Sequence, residues 1–273
     1  MLKNKLQFFL KFLRKEGIRF TFIRVIALLL NQPLEIEKAK LKSAKIIYKK
    51  YKNQIAYGPF KGMVLPAKNS WSKYDTTLQI LASYEEHILD KILYFSKKGN
   101  YVFIDIGAAD GFYAVGFAYT NYFKKIFAFD INPDARKIIR DQSIINLCHD
   151  KIEIYSEANL ESILNIINLH GNAVILIDIE GNEYELLSSK LLSLLKKCYI
   201  ICELHPFFTK DGVSKQKKLI KDSKKYFHTS CIKRNIYRPN DFIELDDLTD
   251  EERLITFGEK RIKNMEWLVL EPK

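Results

Sequence analysis

The sequence predicts an α/β protein with a mostly parallel seven-stranded sheet, helices on both faces, and a helical N-terminal extension ahead of it. Three observations carry this. Short apolar, β-branched runs alternate with stretches of helical periodicity, as in folds whose parallel strands are joined by helical crossovers. The run beginning at Tyr101 stops at an acidic residue and two glycines, in "FIDIGAADGFYAVGFA", which reads as strand, tight loop and helix. The opening residues lack this alternation and are basic and helical in pattern.

Residues 1–60 form the extension. Its segment "LQFFLKFLRKEGIRFTFIRVIALLL" is apolar, yet Lys11, Arg14, Lys15, Glu16, Arg19 and Arg24 interrupt it. The clean run from Val25 to Leu30 falls far short of the roughly 20 residues a spanning helix needs. The segment also lacks the unbroken apolar stretch and small-residue cleavage site of a secretory signal. One or two amphipathic helices broken near Gly17 are predicted, with Phe and Leu on one side and Lys and Arg on the other. They pack on the rest of the chain or on a second subunit, or lie on an anionic membrane face.

The glycines and prolines of "YGPFKGMVLP" mark turns, and the boundary is placed there, leaving 61–273 as the main domain. "YDTTLQILASYEEHILDKILYF" has helical spacing. Strands are predicted at 101–106, 125–130, 152–155, 173–179, 198–204, about 227–233 and 265–270, mostly with helices between.

The 273 residues, 47% of them hydrophobic, can fill a sizeable core. A formal charge of +11 favours anionic partners, though lysine also serves solubility. Cys148, Cys198, Cys202 and Cys231 form no CxxC pair, which argues against a structural zinc site and predicts reduced, mostly buried thiols. A cytoplasmic protein is expected, or one held peripherally at the inner membrane face through its N-terminal helices.

Ligands of open α/β sheets sit beyond the carboxyl ends of the strands, so those ends carry the functional reading. A dinucleotide loop of the GxGxxG type would need glycines where Ala109 and Phe112 stand. The residues present are Asp105, Gly107, Ala108, Asp110 and Gly111, with an acid near the strand end. A carboxylate there repels a pyrophosphate and suits an ammonium group, which S-adenosylmethionine has. Asp130 follows the second strand, where an acid can accept hydrogen bonds from both ribose hydroxyls. Asn132 fits better than Asp130 as the cap of the helix starting near Pro133. Ser156 and Glu157, after the third strand, are positioned for the adenine amine.

The blocks "FIDIGAADGFYAVG", "FAFDINPDA", "ILIDIEGNEYELL" and "ICELHPF", preceded by "GPFKGMVL" and "LASYEEHIL", resemble the motifs of FkbM-like class I S-adenosylmethionine-dependent methyltransferases. The resemblance covers roughly residues 57–207 and is most specific at DIEGNE. It implies a Rossmann-like methyltransferase fold, with "MEWLVLEP" as an antiparallel seventh strand, and S-adenosylmethionine as cofactor. It also implies O-methylation, with sugar or polyketide hydroxyls as acceptors, because Asp-Ile-Glu-Gly stands where amino methyltransferases carry an Asn/Asp-Pro-Pro-aromatic turn. The leading expectation is a glycan of the cell surface, methylated on the cytoplasmic side.

Methyl transfer to a hydroxyl needs an aligned acceptor, excluded water and a base. Asp178 and Glu180, one residue apart at a strand end, point to one face and supply a base or oxygen ligands for a divalent cation such as magnesium. Glu183 reads as a first-turn helix acid. His205 falls beside these carboxylates if the fourth and fifth strands are neighbours, and imidazole is the usual base near neutral pH. Glu203 shares its face and orients it or joins a metal set of Asp178, Glu180, Glu203 and His205. His87, His149, His170 and His228 read as surface or packing residues.

Two alternatives belong to other classes. An RNA methyltransferase would use the lysines of "KDGVSKQKKLIKDSKK" as a phosphate track, but that stretch is more simply a solvated helix face and no RNA-binding module accompanies it. A non-catalytic scaffold conflicts with the intact set of Asp105, Gly107, Gly111, Asp130 and Asp178.

Overall fold

The computed structural model describes residues 17–19, 21–23, 25–26, 35–66, 75–233, 239–259 and 265–273. Seven strands, β1 (Val102–Ile106), β2 (Ile126–Phe129), β3 (Ile152–Tyr155), β4 (Ala173–Ile177), β5 (Tyr199–Leu204), β6 (Phe227–Lys233) and β7 (Glu266–Pro272), form one sheet in the order β3-β2-β1-β4-β5-β7-β6. Neighbours from β3 to β5 are parallel, whereas β7 runs antiparallel to both β5 and β6. This is the mostly parallel sheet predicted from the alternation, with the Rossmann-like arrangement and antiparallel seventh strand that the resemblance implied. The chain steps outward from β1 to β3 and then returns to the other side of β1, so strand order reverses between β1 and β4. A crevice at the carboxyl ends of those two strands is the usual ligand position in such sheets.

Strands β1 and β4 are buried at every position, which is why they read as unbroken apolar runs and not as alternating ones. Side chains still alternate between two cores. Phe103, Ile126, Val174 and Leu176 join one core with Ile88, Ile92, Phe117 and Ile139 from helices Glu86–Ser96, Phe112–Tyr119 and Pro133–Ile145. Val102, Ile104, Phe127 and Ile175 join the other with Ile163, Leu191 and Leu219 from helices Leu160–His170, Ser189–Leu194 and Gly212–Ser223. The alternation places Asp105 on the face of Phe103, toward helix Phe112–Tyr119.

Local signals fix the helix starts. Asn132 accepts the Asp134 N–H at 2.9 Å, with Pro133 as the first helical residue, so Asn132 is the cap as expected. Asn159 and Ser162 form a reciprocal capping box ahead of helix Leu160–His170.

Helix Glu35–Tyr51 lies against the C-terminal part of the chain. Lys42 pairs with Glu252 at 2.8 Å, and the buried Glu244 accepts hydrogen bonds from Lys50 and Tyr57, both at 2.8 Å, and from Tyr51. The segment after this helix folds back on itself through a bridge between Gln54 and Val64 and inserts Phe60 against Phe117, with ring centroids 4.9 Å apart. Residues 17–19, 21–23 and 25–26 are helical and leave Ile18, Phe22 and Ile23 exposed; the remainder of the amphipathic segment lies outside the described residues. Among the described residues no helix is long and apolar enough to cross a membrane. All four cysteines are free, and only Cys231 is exposed.

Candidate active site

The loop after β1 is shaped by what lies against it. Gly107 has φ +87°, and a Cβ there would stand 1.8 Å from the carbonyl oxygen of Asp178, so no other residue fits. The N–H groups of Gly107 and Ala108 both donate to the carbonyl of Phe129, at 2.9 and 3.0 Å, tying the loop to the end of β2. Asp130 completes this tie. Its Oδ2 accepts the Ala109 N–H and its Oδ1 the Asn132 N–H, each at 2.8 Å. Asp130 therefore orders the loop. Gly111 caps helix Phe112–Tyr119, and Asp110 just ahead of it is half-buried. Ser156 and Glu157 lie exposed in the loop that leaves β3.

Asp105 is 3% exposed, and its Oδ2 has no hydrogen-bond partner. Burial, reinforced by the charges of Asp178 and Asp130, pushes its carboxyl up to about 8. A buried acid with an unused oxygen beside a glycine loop can receive a hydrogen-bond donor or a cation. Glu85 adds to the negative field at Asp105 and accepts the Tyr113 hydroxyl at 2.8 Å. Sequence reasoning assigned neither Glu85 nor Tyr113 to the site. "LASYEEHIL" stands out only for helical spacing and family likeness, and nothing in it marks an acid that folds back to the first strand.

The second half of the site lies past β4 and β5. The strand prediction ran to residue 179, but β4 ends at Ile177, and the chain turns through Glu180 (φ +52°) and Gly181 (φ +111°). Strand alternation therefore does not align Asp178 with Glu180; the turn brings them together. Nε2 of His205 stands 3.6 Å from Asp178 Oδ1, 3.5 Å from Glu180 Oε2 and 3.7 Å from Glu203 Oε2. The four side chains that the sequence suggested as one set thus converge on one point.

Glu183 differs from its expected part as a first-turn helix acid. It opens a helix of only one turn, Glu183–Leu186, and its side chain is fully buried. One oxygen accepts the Gly181 N–H and the other the His205 N–H, both at 2.7 Å. Burial opposes its charge, but the neighbouring His205 ring and the backbone N–H groups of Glu183 itself and of His205 hold the carboxyl below its usual range. Burial likewise works against a charged imidazole at His205, yet Glu183, Asp178 and Glu180 outweigh it and raise its pKa. The ring is stacked on Phe208 with centroids 5.6 Å apart and planes 17° from parallel.

No family model matches the chain, and no curated protein matches it. Solved structures overlap it only loosely. A precorrin 8w decarboxylase from Methanobacterium thermoautotrophicum is 17% identical over 68% of this chain and 90% of its own, at a TM-score of 0.46. An O-methyltransferase of tomaymycin synthesis from Streptomyces achromogenes, solved with S-adenosylmethionine, is 10% identical over 91% and 95%, at 0.44. A precorrin-6y C5,15-methyltransferase from Geobacter metallireducens is 12% identical over 67% and 88%, at 0.40. Similarity of this degree carries no argument about activity, so the fold rests on the strand order and the chemistry on the residues.

Proposed function

We propose that this chain is an S-adenosylmethionine-dependent O-methyltransferase whose acceptor is a sugar hydroxyl of a cell-surface glycan or a related metabolite. The observation that carries the reading is the buried Asp105 carboxyl, with one oxygen unpartnered, beside the Gly107–Gly111 loop and at the same sheet end as the His205 cluster. The FkbM-like motifs quoted above supply the cofactor and the acceptor class. The residues present fit that cofactor. Asp105 suits its ammonium group, Asp130 its ribose, and Ser156 and Glu157 its adenine, while Ala108, Asp110 and the glycines shape the loop around it. Bound there, it supplies a methyl group on sulfonium for in-line displacement.

The acceptor hydroxyl must lose a proton as the new bond forms. His205 and the adjacent Asp178 and Glu180 form the proton-accepting group, with the imidazole fixed by Glu183 and Phe208. The same donors, with Glu203, suit a divalent cation. A cytoplasmic setting is part of the proposal, with peripheral contact to an anionic membrane through the exposed Ile18, Phe22 and Ile23 and the basic residues around them.

Calorimetric titration with S-adenosylmethionine, its demethylated product and NADH tests the assignment. Binding of the first two and not of NADH is expected; the reverse would overturn it.

A further inference from the structure

We propose that Asp178, Glu203 and His205, with Glu180 as a fourth donor, bind one divalent cation of the manganese or magnesium class. Ligand atoms of the first three lie within 4.8 Å of one another. The separations from His205 Nε2 to the three carboxylates, 3.5 to 3.7 Å, exceed a normal hydrogen bond. They fit donors sharing one ion. At metal–oxygen distances of about 2.1 Å, neighbouring ligands of an octahedral ion stand about 3.0 Å apart and opposite ones about 4.2 Å.

His205 is what separates this cluster from an ordinary patch of acids. Its side chain is 2% exposed, and Nδ1 makes no hydrogen bond. Nδ1 faces Glu183 Oε1 at 3.5 Å, on the side away from the cluster. A proton on Nδ1 is drawn to that buried carboxylate, which leaves the Nε2 lone pair aimed at the carboxylates of Asp178, Glu180 and Glu203. A histidine that ligates a metal ordinarily has such a carboxylate behind its other nitrogen, fixing the tautomer and the ring. Here the backbone clamp by Glu183 and the stack on Phe208 fix it further. Three carboxylates and one imidazole form a hard, oxygen-rich donor set with no thiolate. That set suits manganese or magnesium, and a nitrogen ligand favours manganese of the two.

The site stands independently of the methyltransferase reading, but its consequence rests on it. With the Nε2 lone pair on a cation, His205 would be a ligand and not the base, and the proton of the acceptor hydroxyl would pass to the Glu180 carboxylate oxygen that the ion leaves free. The Glu180 side chain, 46% exposed, is more open than those of Asp178, Glu203 and His205.

The test is titration of the full-length, chelator-treated protein with Mn2+, followed by electron paramagnetic resonance. One saturable site per chain is expected, with nitrogen modulation from a coordinated imidazole in the pulsed spectrum. Glu203→Gln and Asp178→Asn should each weaken Mn2+ at least tenfold, and His205→Gln should abolish the nitrogen modulation. Excess Mg2+ should displace the ion. Absence of saturable binding, a bound ion without nitrogen modulation, or equal affinity in folded Glu203→Gln would overturn the proposal. The wild-type spectrum alone decides if the variants do not fold. Titration of the same protein with S-adenosylmethionine reads the methyltransferase assignment separately, so either can fail without the other.

Discussion

The buried carboxylate of Glu183 holds the backbone N–H of His205 at 2.7 Å, joining the turn after β4 to the end of β5. Its other oxygen holds Gly181 at the same distance, so one side chain sets the spacing of both halves of the cluster. Glu183→Gln keeps the shape but turns an amide NH2 toward one of these donors. A loss of about 1–3 kcal/mol is expected, as for other buried groups deprived of a partner. Chemical denaturation measures it. Turnover should fall more than affinity for S-adenosylmethionine; equal losses in both would indicate general damage.

Asp130 serves two backbone donors, so its removal frees the Ala109 and Asn132 N–H groups at once. Asp130→Ala is expected to weaken S-adenosylmethionine at least tenfold, with a stability cost of about 1–2 kcal/mol. Calorimetry and thermal unfolding read the two effects. Undiminished affinity in a folded variant would remove Asp130 from the cofactor site.

Under the proposed function, Asp105 should link cofactor binding to pH. Its carboxyl is pushed up to about 8 by burial and by Asp178 and Asp130, so it is largely protonated at pH 7 in the ligand-free protein. A cation beside it favours the ionised form, and binding should expel a proton. Affinity for S-adenosylmethionine should therefore rise by up to about tenfold per pH unit below pH 8 and level off above it. Calorimetry in two buffers of different ionisation enthalpy counts the proton, which Asp105→Asn should eliminate. The same group acts on folding. It ionises near 3.8 when unfolded, so the ligand-free protein loses stability from about pH 4 to pH 8, and Asp105→Asn should exceed wild type at pH 8 but not at pH 4.

Gly107→Ala sets a Cβ 1.8 Å from the Asp178 carbonyl at a φ of +87°. The strand end must move or the loop must unwind. Loss of S-adenosylmethionine binding and a fall in stability of more than about 3 kcal/mol are expected from such a clash together with backbone strain. Wild-type binding by this variant would contradict the loop geometry.

Glu244 gives an acid-sensitive joint far from that loop. Burial works against its charge, but hydrogen bonds from Lys50, Tyr51 and Tyr57 hold its carboxyl down at about 2. This stabilisation is complete above the ordinary value of 4.5 and is lost as pH falls from there through about 2. Replacement by Gln should cost about 2 kcal/mol at pH 7, and the gap to wild type should close over that window. A gap that stays constant from pH 6 to pH 2.5 would show that the charge contributes nothing.

What was legible in the sequence was whatever a short window determines. The buried strands β1 and β4 announced themselves as apolar runs ending at acids. Asn132 and Pro133 announced a helix start through their own chemistry. What was not legible depended on residues meeting across the fold. Glu183 looked like a helix acid because its alternative partner, the His205 N–H, lies 22 residues away. Glu85 and Tyr113 meet across 28 residues, and Glu244 draws its partners from nearly 200 residues upstream. The antiparallel direction of β7 came from family likeness, but its placement between β5 and β6 was not foreseen, since no local pattern specifies a neighbour.

That placement has a temporal side. Synthesis delivers β5, which leads into His205, some 60 residues before the strand that pairs with its outer edge. Until Glu266–Pro272 arrives, a nascent chain can assemble the half of the sheet built on β1 to β4, but β5 and β6 each present bare backbone to any other chain nearby. A ribosome that stalls between them leaves an adhesive intermediate, whose rescue by a chaperone or a late-arriving β7 peptide would depend on covering that edge.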